Sequence, residues 1–361
     1  MTKFKHPYND IITIQNLLRA WEAFLCGKRK KQDVVLFHAK LMDNILELRQ
    51  ELTEKTYHHG GYHYFNISDP KPRNIHKASV RDRLLHHMLY QELYPFFDRQ
   101  FIYDSYSCRL GKGMHKAIRQ FKRMARKVSG NNTRTCWVLK CDIKKFFANI
   151  DHAILKTIFA RYIEDRDILW LFGRVIDSFS TQGKNGIGLP LGNLTSQLFV
   201  NVYMNELDQF VKRTLKATYY IRYADDFVLL FQNKEWLSEQ IPKIASFLES
   251  ELKLSLHDDK VFIKTLASGV DFLGWIHFSN HSVLRTTTKK RMLRRLQDHP
   301  TDETLQSYLG LLRHGNAYQL KNEILRSAQN DKRIKPKTVL TITRFLVFIN
   351  VRRNILRLTF L

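Results

Sequence analysis

The 361 residues carry 59 Lys+Arg against 34 Asp+Glu, a formal net charge of +25, with 44% hydrophobic residues. A chain this long can bury a sizeable core in one large domain or two to three smaller ones, and so strong a positive balance selects a polyanion as partner, nucleic acid first. No apolar run is long enough to span a bilayer, no basic amphipathic terminal helix stands out, and Met1–His6 runs into Pro7–Asp10 without an apolar signal segment, which sets a membrane role aside.

In chain order, Asp10 is placed to cap an amphipathic helix carrying Ile12, Leu17, Leu18, Trp21 and Phe24, and Asp33 a second carrying Phe37, Leu41, Ile45 and Leu48. Lys28-Arg29-Lys30-Lys31 between them reads as a solvated loop. From Tyr57 to Ile75, Gly60-Gly61 and Asp69-Pro70 punctuate alternating aromatics, the pattern of a β-hairpin on which Lys71, Arg73 and Lys77 ride. Such cations suit a triphosphate, Arg by bidentate pairing and Lys as a point charge, with plain surface charge an equal alternative. Ala78–Phe101 is helical; His86 and His87 are adjacent and do not share a face, so structural or RNA-facing roles prevail over a metal pair. The glycine-punctuated stretch Asp104–Gly113, with Arg109 and Lys112, opens a helix through Ile118, Phe121 and Met124, a place to hold phosphates, although it lacks the Walker spacing.

Thr135–Ile143 is a strand that delivers Asp142 at its C-terminal end. Helices over 152–163 and 166–179 precede the loop 182–186 and the turn Leu189-Pro190-Leu191-Gly192-Asn193, whose glycine lets the backbone approach a nucleotide. Tyr219–Phe231 is an aromatic and aliphatic strand pattern interrupted by Asp225-Asp226. Neighbouring strand side chains point to opposite faces, so both acids serve one site only where the chain bends into a hairpin, which the small Ala224 permits. Paired buried carboxylates are costly, and a divalent metal would make them tolerable; a solvated turn is the alternative. An amphipathic helix over 235–252, a strand-like Leu254–Phe262 carrying Lys260, a hairpin arm Val270–Ile276 and a basic helical stretch over 281–361 complete an α+β arrangement. Cys26, Cys108, Cys136 and Cys141 have neither disulfide-framework nor zinc spacing, which fits a reducing cytoplasm.

Asp142-Ile143-Lys144-Lys145-Phe146-Phe147, Leu189–Gln197, Tyr223-Ala224-Asp225-Asp226, Lys260 and Phe272-Leu273-Gly274-Trp275 resemble, in order and spacing, the motifs of the reverse transcriptase family over residues 35–280. The resemblance implies a right-hand polymerase. N-terminal helices and fingers with part of the palm would occupy 1–134. A palm with an antiparallel sheet and helices would occupy 135–280, its nucleotide-side turn and helix start at 181–197, and a basic helical thumb would occupy 281–361. It further implies an RNA-directed DNA polymerase using two Mg2+ ions, with Mn2+ as a substitute, held about 4 Å apart by Asp142, the Ile143 carbonyl, Asp225 and Asp226. By the same resemblance Lys71 and Arg73 would grip the triphosphate, Phe147 would exclude a ribose 2′-hydroxyl, and Leu191 and Gly192 would border the nucleotide. Lys260 would protonate the departing pyrophosphate, while Phe272, Leu273, Gly274 and Trp275, with Arg109 and Lys112, would hold primer and template.

Within the family, Gly192–Gln197 and Asp104–Gly113 look most like the reverse transcriptases of diversity-generating retroelements, which copy a template-repeat RNA with frequent errors opposite adenine. That implies template-repeat RNA, a cDNA primer–template duplex and dNTPs as partners, a small basic accessory protein, no membrane, and the cytoplasm of a bacterial, archaeal or phage-infected cell. Most reverse transcriptases carry Gln where this chain has Leu191, and an aliphatic side chain cannot hydrogen-bond near the nucleotide. Losing a net bond of about 1 kcal/mol would loosen selection several-fold. A group II intron protein is expected to carry a maturase region and often a nuclease domain, for which this chain ends early, and a retron enzyme fits neither Leu191 nor the Asn193–Gln197 signature. The alternative of another class is a non-catalytic RNA-binding module on the same fold, which has no use for three carboxylates beside a polyanion.

Overall fold

The computed structural model of the protein describes residues 2–68, 72–299 and 301–329. Contacts divide the chain into two units, Met1–Met124 with Trp137–Ile263, and Ala125–Cys136 with Lys264–Leu361.

The first unit begins with α1 (Tyr8–Ile11), α2 (Ile14–Leu25), α3 (Gln32–Ala39) and α4 (Leu41–Thr53). Thr13, not Asp10, caps α2, its hydroxyl accepting from the Asn16 amide. The single helix expected after Asp33 is two, broken at Lys40, whose φ of −122° and ψ of 39° are not helical. Asp33 caps neither. It pairs instead with Lys77 and Arg83, each at 2.7 Å, and the Lys77 contact ties α3 to the hairpin of β1 (Tyr62–Ile67) and β2 (Arg73–Ala78). That hairpin is antiparallel in register from Tyr62↔Ala78 to Ile67↔Arg73. Ser79 then caps α5 (Val80–Asp98), and α6 (Met114–Val128) follows.

At the centre stand β3 (Trp137–Asp142), β4 (Tyr220–Tyr223), β5 (Asp226–Phe231) and β6 (Phe262–Thr265), in spatial order β4-β5-β3-β6. β5 runs antiparallel to both neighbours. Around the sheet lie α7 (His152–Tyr162), α8 (Arg166–Ile176), α9 (Leu194–Gln209) and α10 (Lys234–Leu252). One hydrophobic core runs from Phe4 through Trp21, Leu85, Phe159 and Tyr203 to Leu254. The N-terminal helices therefore share a core with the sheet.

The strand expected over 254–262 starts late. Residues 255–257 brace the exit of β3 through an Ile143↔Leu256 bridge and bonds from Lys144 to Ser255 and from His257 to Asp142. Asp258–Lys260 then forms a short helical turn, and extended backbone resumes only at Phe262.

In the second unit β7 (Val270–Phe272), β8 (Trp275–His277) and β9 (Ser282–Leu284) form an antiparallel three-stranded sheet. The helices α11 (Thr286–Asp298), α12 (Asp302–Leu312) and α13 (Tyr318–Gln329) gather a separate core of Met292, Leu305, Leu309 and Ile324. Only the first part of the expected thumb is covered, since 330–361 lie outside the described residues. Among the described residues no helix is long and apolar enough to cross a membrane.

Candidate active site

β3 and β5 bring the acids together. Their register sets Asp142 opposite Asp226, while Ala224 and Asp225 form the two-residue connection between Tyr223 and Asp226. Ala224 takes a φ of +58°, a left-handed conformation that a β-branched side chain adopts less readily, and the bend there lets adjacent acids share one end of the sheet. The Ile143 amide donates to the Asp225 carbonyl at 3.3 Å, tying the second acid-bearing segment to the first.

Lysines face these carboxylates. Lys260 Nζ lies 2.9 Å from Asp142 Oδ1, and the nearly buried Lys140 lies 3.3 Å from Asp226 Oδ2. Burial, then the charge of Asp142, raises the pKa of Asp225, with Lys260 and Arg73 acting the other way. Asp226 is pushed up to about 7, by burial first and then by Asp142 and Asp225, against the pull of Lys140. Its Oδ1 is buried without a hydrogen-bond partner. A cluster in which the charge of Asp142 raises the pKa of Asp225, and both raise that of Asp226, with one oxygen left orphaned, fits a hard divalent cation, whose charge would reverse that penalty. Among the described residues no three such side chains form a ready-made cage. The lysines hold two of the acids, and substrate phosphates would complete an oxygen shell for Mg2+.

The turn has a buried support that the sequence reading missed. Arg222 and Asp208 are both fully buried, with Nε–Oδ1 and Nη2–Oδ2 each at 2.7 Å. Arg222 Nη1 also donates to the Ala224 carbonyl at 3.1 Å, Nη2 donates to Ser105, and Tyr220 donates its hydroxyl to Asp208. A cation between Ile221 and Tyr223 in an apolar strand was the available signal.

Arg73, at the start of β2, is exposed, and its charge reaches Asp225. Lys71 lies outside the described residues, and Lys77, paired with Asp33, sits at the hairpin base. Phe147 is partly buried, and its carbonyl accepts from the Leu189 amide at 2.8 Å, joining the segment after Asp142 to the Leu189–Asn193 turn. Leu191 and Gly192 occupy that turn. Gly192 has φ +109°, and a Cβ there would fall 2.8 Å from Ile75 Cγ2, so the close docking of β2 requires glycine.

The remaining expectations divide. The Arg109 guanidinium donates to Asp98 Oδ1 at 2.7 Å and to the carbonyls of Ile102, Ser105 and Asp98, and so pins its own loop. Lys112 lines an open groove of about 540 Å³ with Tyr103, Lys116, Arg119, Gln120 and Arg123. Its Nζ stands 3.5 Å from the Tyr103 ring centroid. In the second unit Phe272 and Trp275 are fully buried, and Leu273-Gly274 between them form the tip of the turn, with φ of +52° and +81°.

A family model described as reverse transcriptase (RNA-dependent DNA polymerase) matches residues 68–277. The chain belongs to the reverse transcriptase family. The match spans the three acids, Lys260 and the Phe272–Trp275 turn of this chain. Protein YkfC of Escherichia coli (strain K12) is 28% identical over 251 residues, 58% of this chain and 64% of that one. The group II intron-encoded protein LtrA of Lactococcus lactis subsp. cremoris is 21% identical over 305 residues, 64% of this chain and 49% of LtrA. The putative COX1/OXI3 intron 2 protein of Saccharomyces cerevisiae is 21% identical over 277 residues, covering 60% and 30% respectively. The chain thus spans less than two thirds of the length of these relatives. Among solved structures, apo telomerase from Candida tropicalis, truncated from its C-terminal domain, aligns with a TM-score of 0.45 and 13% identity over 68% of this chain and 60% of that one.

Proposed function

We propose that this chain is an active RNA-directed DNA polymerase that adds dNTPs to a primer on an RNA template. The observation that carries the reading is the Asp142↔Asp226 register with Asp225 in the adjoining turn, a carboxylate cluster with a buried, unpartnered oxygen. Two Mg2+ ions, when bound by Asp142, Asp225, Asp226 and the Ile143 carbonyl, supply Lewis acidity for the primer 3′-hydroxyl and charge neutralisation for the leaving pyrophosphate. Arg73 binds the triphosphate, with Lys71 beside it in sequence. Lys260 releases Asp142 as the substrate arrives and gives a proton to the departing pyrophosphate. Phe147 blocks the space a ribose 2′-hydroxyl needs. The cation-lined groove beside Lys112 and the Leu273-Gly274 tip hold template and primer.

For the finer role, the Leu191-Gly192-Asn193 turn supports an error-prone enzyme of a diversity-generating retroelement. It would copy a template-repeat RNA with adenine-directed errors, assisted by a small basic accessory protein. A second reading, an intron-type enzyme, is favoured by the two relatives named after introns. Primer extension on an RNA template with dNTPs and Mg2+ tests the activity. The wild-type chain extends the primer and Asp225→Asn does not, with RNA binding equal in both; equal binding without synthesis in either form would favour the RNA-binding module. Sequencing the cDNA separates the finer readings, because errors concentrated at template adenines belong to the retroelement and an even spectrum to the intron type.

A further inference from the structure

The nucleotide-side turn is clasped to β2 through one residue. The His76 amide donates to the Leu191 carbonyl at 2.9 Å, the Leu191 amide donates back to His76 Nδ1 at 3.3 Å, and Asn193 Nδ2 donates to the His76 carbonyl at 3.3 Å. Asn193 stands at the N-cap of α9, where an asparagine side chain ordinarily accepts from the first helical turn. Here it makes no capping bond and reaches to β2 instead, leaving its own Oδ1 buried without a partner. The capping bond has been exchanged for the clasp.

The imidazole itself is held from the sides. Its centroid lies 4.5 Å from Phe179 and 5.1 Å from Tyr64, both edge-on. Because Nδ1 accepts from a backbone amide, the ring is neutral with its proton on Nε2. Burial lowers the pKa of His76 and so maintains that form.

The geometry points to His76 as a positioning residue that fixes Leu191, and with it the wall of the nucleotide pocket, by presenting Nδ1 to the Leu191 amide. This rests on the reading above that Leu191 and Gly192 border the incoming nucleotide. The backbone bond at 2.9 Å anchors Leu191 by its carbonyl alone. The Nδ1 contact adds a second point on the same residue and removes rotation about the first. Shape selection depends on a wall that does not shift, since small displacements of positioning groups are magnified in rate. His76 touches none of the three acids, so its effect falls on nucleotide selection and not on the chemical step.

Two variants separate this role from general packing. His76→Phe keeps a ring between Phe179 and Tyr64 but offers no acceptor. His76→Asn offers an amide oxygen near the Nδ1 position and gives up the ring. Hydrogen exchange of the Leu191 amide and steady-state incorporation of single dNTPs are measured on the full chain. His76→Phe is expected to lose Leu191 protection and to raise the dNTP KM and misincorporation by about two- to tenfold, the worth of one net hydrogen bond, with kcat little changed. His76→Asn is expected to recover part of both effects. Unchanged protection or unchanged KM in His76→Phe overturns the proposal, as does a fall in kcat of equal size in both variants. Absence of synthesis by the wild-type chain, with the protection changes as expected, overturns the polymerase reading and the nucleotide role but leaves the clasp.

Discussion

Arg222 and Asp208 face each other with both guanidinium–carboxylate contacts at 2.7 Å and no solvent on either. The same guanidinium reaches the Ala224 carbonyl, so the turn that presents Asp225 is held from beneath by a desolvated ion pair. Removing one member of such a pair strands the other as an uncompensated buried charge. Asp208→Ala should therefore cost about 3–5 kcal/mol by denaturant unfolding. Its activity should fall further than stability alone explains. A variant within about 1 kcal/mol of wild type would refute the structural role given to the pair.

The groove beside Lys112 carries Lys116, Arg119 and Arg123 on one exposed face of α6, with no acid on that helix. Cations that neutralise phosphates release counterions, so affinity for RNA falls with salt in proportion to their number. Changing the three to Ala should reduce the slope of log affinity against log salt by about 2 for single-stranded RNA, at about 0.7 per phosphate contact. A slope identical to wild type would remove this groove from the nucleic-acid path.

Two imidazoles on α5 make stability depend on pH. Burial holds the pKa of His86 well below its ordinary value, and burial, then Lys28 and Arg83, push His87 down to about 4. Both are neutral when folded, whereas the unfolded chain takes up protons below about pH 6.5, so their contribution is intact above that pH and is lost as pH falls towards 4. The raised pKa of Asp226 acts in the opposite sense, which calls for a difference measurement. The gap in Tm between wild type and His87→Gln should change between pH 7.5 and pH 5 in favour of the variant. A constant gap would contradict the assignment.

Under the proposed function, Leu191 would offer only carbon where an amide could bond near the nucleotide. Leu191→Gln should lower misincorporation opposite template adenine several-fold, read by sequencing the cDNA. An unchanged error spectrum would remove this residue as a source of low fidelity.

The acids were legible because each breaks a pattern. Asp225-Asp226 interrupts an apolar strand, and only a hairpin lets both face one site, the geometry that β4 and β5 adopt. Arg222 broke the same pattern less visibly, for its partner Asp208 lies in a helix 14 residues earlier and nothing local joins them. The bonds of Arg109 to its own loop were not legible, because a glycine-punctuated basic loop looks the same whether its cation faces phosphate or backbone carbonyls. His76 gave no signal, since a neutral ring on a hairpin acquires meaning only when Leu191, over a hundred residues away, docks against it. The strand expected over 254–262 is interrupted because residues 255–257 pair with the exit of β3 and the chain then turns at Asp258–Lys260 before β6 begins.

The central claim, that Asp142, Asp225 and Asp226 share divalent cations, is tested most directly by Mn2+ binding to the chain loaded with an RNA template, a terminated DNA primer and the matching dNTP. Electron paramagnetic resonance titration of the wild-type complex should show about two tightly bound ions, and Asp142→Asn and Asp225→Asn should each lose at least one. Stoichiometry and affinity equal to wild type in both variants would contradict the account.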